Sequence, residues 1–170
     1  MGSPPIEYLS RCLATALLDF YQVDKPPVPV RKMIASPPPD LARDLTLVEV
    51  PGLPFRSAEW LRLYDGQGRV FVDVDAPKTQ RRYAMARALF IGFCSSRGGR
   101  AAGMNIALTA LDAHAMHFGR CLLMPQNLLP QNWQYMAIGT LAQLFEMPTT
   151  AVEARLKELT GRPSYLPLAH

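Results

Sequence analysis

The stretch Arg81-Arg82-Tyr83-Ala84-Met85-Ala86-Arg87-Ala88-Leu89-Phe90-Ile91, RRYAMARALFI, decides how this chain is read. Tyr83, Ala86, Phe90 and Phe93 recur at helical spacing and form one apolar stripe, so the segment is a helix with a face to bury. It starts near Pro77 and is stopped by Ser95-Ser96-Arg97-Gly98-Gly99. Arg87 and Ile91 fall on the neighbouring face, one turn apart.

Upstream, Pro4 and Pro5 open a first amphipathic helix carrying Ile6, Leu9, Leu13, Ala16, Leu17 and Phe20, which ends near Tyr21. The run from Lys25 to Val30 holds three prolines and leads as an extended segment into a short helix around Arg31 to Ala35, which Pro37-Pro38-Pro39 breaks. Leu45 to Val50 is β-prone and stops at Pro51-Gly52. Trp60 to Tyr64, then Asp65-Gly66-Gln67-Gly68, then Arg69 to Val74 spell a hairpin. These segments predict a small antiparallel sheet of about three strands.

Downstream, a second long helix is expected from Asn105 to Leu123, before Pro125. Two shorter ones follow, Trp133 to Phe145 and Thr149 to Leu159, with Gly161 as the stop. No internal repeat or linker divides the chain, so residues 1–170 read as one α+β domain, a small sheet packed on a mainly helical body.

Composition narrows the function classes. At 170 residues, with 49% hydrophobic and 19% charged residues, the chain suits a globular domain that needs no staples. No apolar run reaches the roughly 18 residues needed to span a bilayer, so no membrane role is expected. Met1-Gly2-Ser3-Pro4-Pro5 carries no basic and apolar leader. Cys12, Cys94 and Cys121 are odd in number and widely spaced, which argues against a disulfide framework and fits a cytoplasmic protein. The net charge of +4 rests on fourteen arginines among the 18 basic residues. Arginine favours bidentate contacts with carboxylates and phosphates, but these are not clustered along the sequence as a strong nucleic-acid footprint would be.

The order of helix, PPVPV, strand, LYDGQGRVFVDVDAPKTQRRYAMARALF and LDAHAMHFGRCLLMPQNLL resembles the ImmA/IrrE family of bacterial zinc metallopeptidases, from about Leu13 to Leu159. The most specific piece is Phe118-Gly119-Arg120-Cys121-Leu122-Leu123-Met124-Pro125, similar to the family's phenylalanine, small residues and terminal Leu-Leu-Met-Pro. Arg82-Tyr83-Ala84-Met85-Ala86 stands where the family has an arginine-aromatic pair running into Ala-His-Glu-Leu-Gly-His. The resemblance implies a zincin-like domain. It also implies that Arg87, Ala88 and Ile91 stand where the family has the first histidine, the glutamate and the second histidine of His-Glu-x-x-His.

A catalytic zinc needs three protein ligands and an open position. Arg87 has no lone pair to donate and repels a dication, Ile91 offers hydrocarbon, and Ala88 cannot take a proton from bound water. The family's third ligand, a carboxylate on the next helix, falls on His114, with Asp112 within register uncertainty. His114, His117 and Cys121 are spaced i, i+3, i+7 on one helical face, which leaves a relocated metal site open as a weaker reading, with Cys94 as a recruit. Ser95-Ser96 lacks a nucleophile elbow, Arg97-Gly98-Gly99-Arg100 lacks a Walker lysine, and Asp73 and Asp75 read as a solvated strand end. Neither a catalytic residue nor a cofactor is expected.

The leading reading is therefore a pseudo-peptidase that keeps the family's groove and binds a protein partner without cutting it. By resemblance, that partner belongs to a regulatory setting such as a helix-turn-helix repressor, a mobile element or a stress response. The residues that would line the groove are Asp112, His114, His117 and Cys121. The alternative is direct nucleic-acid binding through residues 131–161, where Ile138 to Leu156 has a helix-turn-helix cadence. Against it, Glu153 and Glu158 accompany Arg155 and Lys157 on the would-be recognition helix. A third reading is an active hydrolase with substituted ligands.

Overall fold

The computed structural model describes residues 5–54 and 56–161. Met1 to Pro4, and with them the leader region and the Pro4 half of the expected helix start, lie outside the described residues. Seven α-helices and three strands follow in the order α1 (Ile6–Phe20), α2 (Val30–Ala35), β1 (Leu47–Val50), β2 (Ala58–Arg62), β3 (Gly68–Asp73), α3 (Lys78–Ser95), α4 (Arg97–Ala101), α5 (Leu108–Leu123), α6 (Ile138–Phe145) and α7 (Thr149–Thr160). The α+β class and the small sheet agree with the sequence reading.

Helix α3 is the axis of the domain. Its Met85, Ala86, Leu89 and Phe90 are buried, and the Phe90 ring meets Phe118 of α5 at 5.0 Å between centroids. Such a pair of enclosed aromatic rings is worth about 0.5–1.5 kcal/mol beyond the area it removes from water. Helix α1 packs on the other side of α5, and β2 and β3 pack on the opposite side of α3. Close approach of β2 requires Gly92, because a Cβ there would lie 2.9 Å from the Trp60 ring. Trp60 is fixed from its other end, where its indole N–H donates to the Asp44 carbonyl at 2.7 Å.

The sheet differs from the expected antiparallel one. Its order is β1-β3-β2, with β1 parallel and β2 antiparallel to β3. Reading three strands in succession suggests a meander, but residues 51–57 are long enough to cross the end of β3, two inter-strand spacings of about 4.8 Å. The crossing is held by the Asp73 carboxylate, which accepts from the Gly52 N–H at 3.0 Å. As a result β2 is an edge strand lying directly over α3. Asp73 N–H donates to the Ser57 carbonyl and Leu63 N–H to the Gln67 carbonyl, so the odd-numbered residues of β2 bond to β3. The backbone groups of Ala58, Trp60 and Arg62 then point to the free edge.

Candidate functional site

Arg87 projects from the middle of α3, where the resemblance puts a metal ligand, and its Nη2 donates to Asp112 Oδ1 of α5. Arg56, from the link before β2, approaches the same oxygen at 3.5 Å. The pair is unevenly covered, since the Arg87 side chain is 21% exposed and that of Asp112 49%. Arg87 Nε is enclosed and has no hydrogen-bond partner. Ala88 is buried, and Ile91 half-buried, packed against the core.

Two hollows meet at Arg87. The larger, about 590 Å³, lies between the end of the sheet, the first half of α3 and the start of α7, with Arg56, Asp73, Gln80, Tyr83 and Thr150 in its walls. The smaller, about 150 Å³, is tucked under β2 and is bounded by Arg56, Trp60, Arg87, Ala88 and Ile91. Arg56 had no signal in the sequence. It sits in an irregular link, and only the crossing of that link over β3 brings it to Asp112.

A zinc ion does not fit these residues. Arg87, Ala88 and Ile91 offer no donor atom, and the Asp112 carboxylate is already held by two guanidinium groups. The remaining candidates are elsewhere. His114 faces α1, with Nδ1 3.8 Å from Glu7, and does not join His117 and Cys121. Of the four residues expected to line the groove, Asp112, His114, His117 and Cys121, none lines either hollow; Asp112 reaches them only through Arg87 and Arg56.

His117 and Cys121 instead face α7 and meet Glu158. Their ligand-type atoms and those of Glu158 all lie within 4.8 Å of one another. Two arginines occupy the same space. Arg120 Nη2 is 2.5 Å from the Glu158 carboxylate, and Arg155 Nη1 is 3.3 Å from Glu158 and 3.4 Å from the Cys121 sulfur. Hydrogen bonds to Cys121 and then Glu158 outweigh burial and push His117 up to about 9. Burial pushes the Glu158 carboxyl up, but its bonds from His117 and Arg120, with their charges, prevail and hold it at about 2. The sequence showed the i, i+4 pair of His117 and Cys121 but not Glu158, whose place follows from how α7 packs on α5.

The same packing decides what α7 presents. Arg155 is 7% exposed, and its Nε donates to the Met124 carbonyl at 3.1 Å. The arginine that would lend a recognition helix its charge is turned into the protein, while Glu153 remains outside. Helix α6 ends at Glu146 in a left-handed conformation and α7 begins three residues later, so the helix-turn-helix outline is present. Trp133–Tyr135 is a separate 3-10 turn rather than the start of α6.

No family profile and no curated protein matches the chain. Among solved structures, a Mycobacterium tuberculosis transcriptional regulator is similar in fold, with a TM-score of 0.56 and 15% identity over 89% of this chain. This chain spans 46% of that regulator's length. No helix among the described residues is long and apolar enough to cross a membrane.

Proposed function

We propose that the chain is a non-hydrolytic relative of the ImmA/IrrE metallopeptidases that serves in regulation by holding an extended segment of a protein partner along β2. The observation that carries this reading is the Arg87–Asp112 pair under a free strand edge. A charge pair stands where the family resemblance puts a metal and its base, while the outward N–H and C=O groups of Trp60 and Arg62, beyond the buried Ala58, offer a peptide the backbone bonds of strand addition. The transcriptional regulator that shares the fold supports a regulatory setting.

The test is selection from a displayed random-peptide library, followed by rebinding with zinc present. Winners should remain intact, and of the two alternating sets of peptide nitrogens, N-methylation of one should lower binding at least tenfold and N-methylation of the other should not. Zinc-dependent cleavage of the winners, or binding indifferent to both changes, would overturn the reading.

The α6–α7 pair and the same neighbour favour a second reading, contact with DNA through 131–161. The inward turn of Arg155 weakens it.

A further inference from the structure

The surface at the tip of the β2–β3 hairpin and the end of α3 gathers arginines that are far apart in the sequence. Arg62 Nη2 and Arg100 Nη1 both donate to the Ser95 carbonyl, at 3.0 and 2.5 Å. Arg62 Nη1 also donates to the Gly66 carbonyl at 2.8 Å, and a Cβ on Gly66 would lie 3.4 Å from Arg43 Nη2. Arg97 stands three residues before Arg100 in α4, hence on the same face of that turn. Arg69 completes the group beside Asp65.

How these cations are held matters more than their number. Arg62 and Arg69 are neutralised by Asp44 and Asp65, at 2.6 and 2.8 Å. Arg100 is anchored by a carbonyl at the negative end of the α3 dipole, which positions it without cancelling its charge. Arg43 and Arg97 are exposed, and no carboxylate pairs with them or with Arg100 among the described residues. Five arginines against two aspartates leave three positive charges here, in a chain whose whole formal charge is +4. At the apex, between Arg62 and Gly66, the Tyr64 ring is fully exposed at 111%.

We propose that this surface binds single-stranded nucleic acid, with Arg43, Arg97 and Arg100 on successive phosphates and Tyr64 stacked on an unpaired base. Charge complementarity selects the backbone, and a bare aromatic ring beside it selects a strand whose bases are free to stack. The surface adjoins the far end of β2 and shares Arg62 with it, but the groups proposed to touch the strand, Arg43, Tyr64, Arg97 and Arg100, line neither hollow at Arg87, so its test does not depend on the peptide reading.

Fluorescence anisotropy with a labelled dT oligonucleotide of about 20 nucleotides tests it, the length exceeding the footprint of about 4–16 nucleotides common for one small domain. The logarithm of the affinity should fall with the logarithm of salt concentration at a slope of about −2, from roughly −0.7 for each of three phosphates. Arg43→Gln, Arg97→Gln and Arg100→Gln together should abolish the slope and weaken binding at least tenfold. Tyr64→Ala should weaken binding about 5- to 150-fold with the slope retained, and a blunt duplex of the same length should bind less well than the single strand. All these side chains are exposed, so unchanged melting curves certify that the variants are folded. The proposal is overturned if Lys25→Gln with Arg11→Gln, on another part of the surface, weakens binding as much as the triple variant. It is equally overturned if duplex and single strand bind alike and Tyr64→Ala has no effect, or if no binding is seen at low salt.

Discussion

Helix α5 carries two charged junctions, and they are built differently. Near its start, Asp112 meets Arg87 and Arg56, which line an open hollow, with one guanidinium nitrogen left enclosed and unbonded. Near its end, His117, Arg120 and Cys121 meet Arg155 and Glu158 in a network where the carboxylate serves three cations and Arg155 also satisfies a carbonyl. A closed network of this kind rigidifies a helix packing. An open pair, whose carboxylate is half exposed, is the arrangement that can still accept a ligand. Polar side chains at a helix interface are therefore not evidence of function in themselves; the completeness of their partners separates the two roles.

The largest expected effect breaks the closed junction. Glu158→Ala strands His117, Arg120 and Arg155 together and should cost about 3 kcal/mol in denaturant unfolding, the low end for removing one partner of a buried ion pair because its side chain is 24% exposed. A loss under 1 kcal/mol would mean that the network is no more structural than the open pair.

A pH series sharpens the contrast next. His117, raised to about 9 in the folded protein, contributes stability that is complete below its ordinary value of 6.5 and is lost as pH rises through 9. Glu158, lowered to about 2, contributes stability present above its ordinary 4.5 and lost as pH falls towards 2. Stability from this junction should therefore be greatest between pH 4.5 and 6.5 and fall on either side by on the order of 2 kcal/mol. The fall on the alkaline side should vanish in His117→Ala, measured by thermal melts from pH 5 to 10.

Smaller still is the open pair. Because Asp112 is half exposed, Arg87→Ala should cost about 0–1 kcal/mol of stability while lowering peptide binding in the cleft by more than tenfold. A stability loss equal to that of Glu158→Ala would remove the distinction. The smallest expected effect is none: a chelator should leave the melting temperature and the metal-to-protein ratio unchanged, whereas a stoichiometric metal lost together with structure would reopen the third reading, at the His117–Cys121–Glu158 group.

Helices α1 and α5 were legible because each buries one stripe, and periodicity reports burial directly. Helix α3 is buried on nearly every side from Arg82 to Cys94, so the stripe of Tyr83, Ala86, Phe90 and Phe93 described it incompletely, with Tyr83 and Phe93 only half-buried; its length and the breakers at Pro77 and Ser95 to Gly99 marked it instead. The parallel pairing of β1 was not legible, since strand order depends on where the 51–57 link crosses. Helix α4 was hidden by its glycines, and Gly99 shows why: a Cβ there would lie 2.0 Å from the Phe93 carbonyl oxygen, so folding this turn back against α3 demands a residue with no side chain. Of the open junction, Arg87 and Asp112 could be proposed through the resemblance, and the structure brings them together. Arg56 and Glu158 come from distant segments, and neither leaves a local pattern that spacing could reveal.

The Arg87–Asp112 contact also determines what the junction of α3 and α5 depends on. A bound ion stabilises a fold in proportion to the logarithm of its concentration, so such a protein is hostage to supply and to competing chelators. A guanidinium and a carboxylate on two packed helices of one chain obey no such mass action. Their stoichiometry is guaranteed by synthesis, and their response to the surroundings is through ionic strength, over a screening length of about 8 Å at physiological salt.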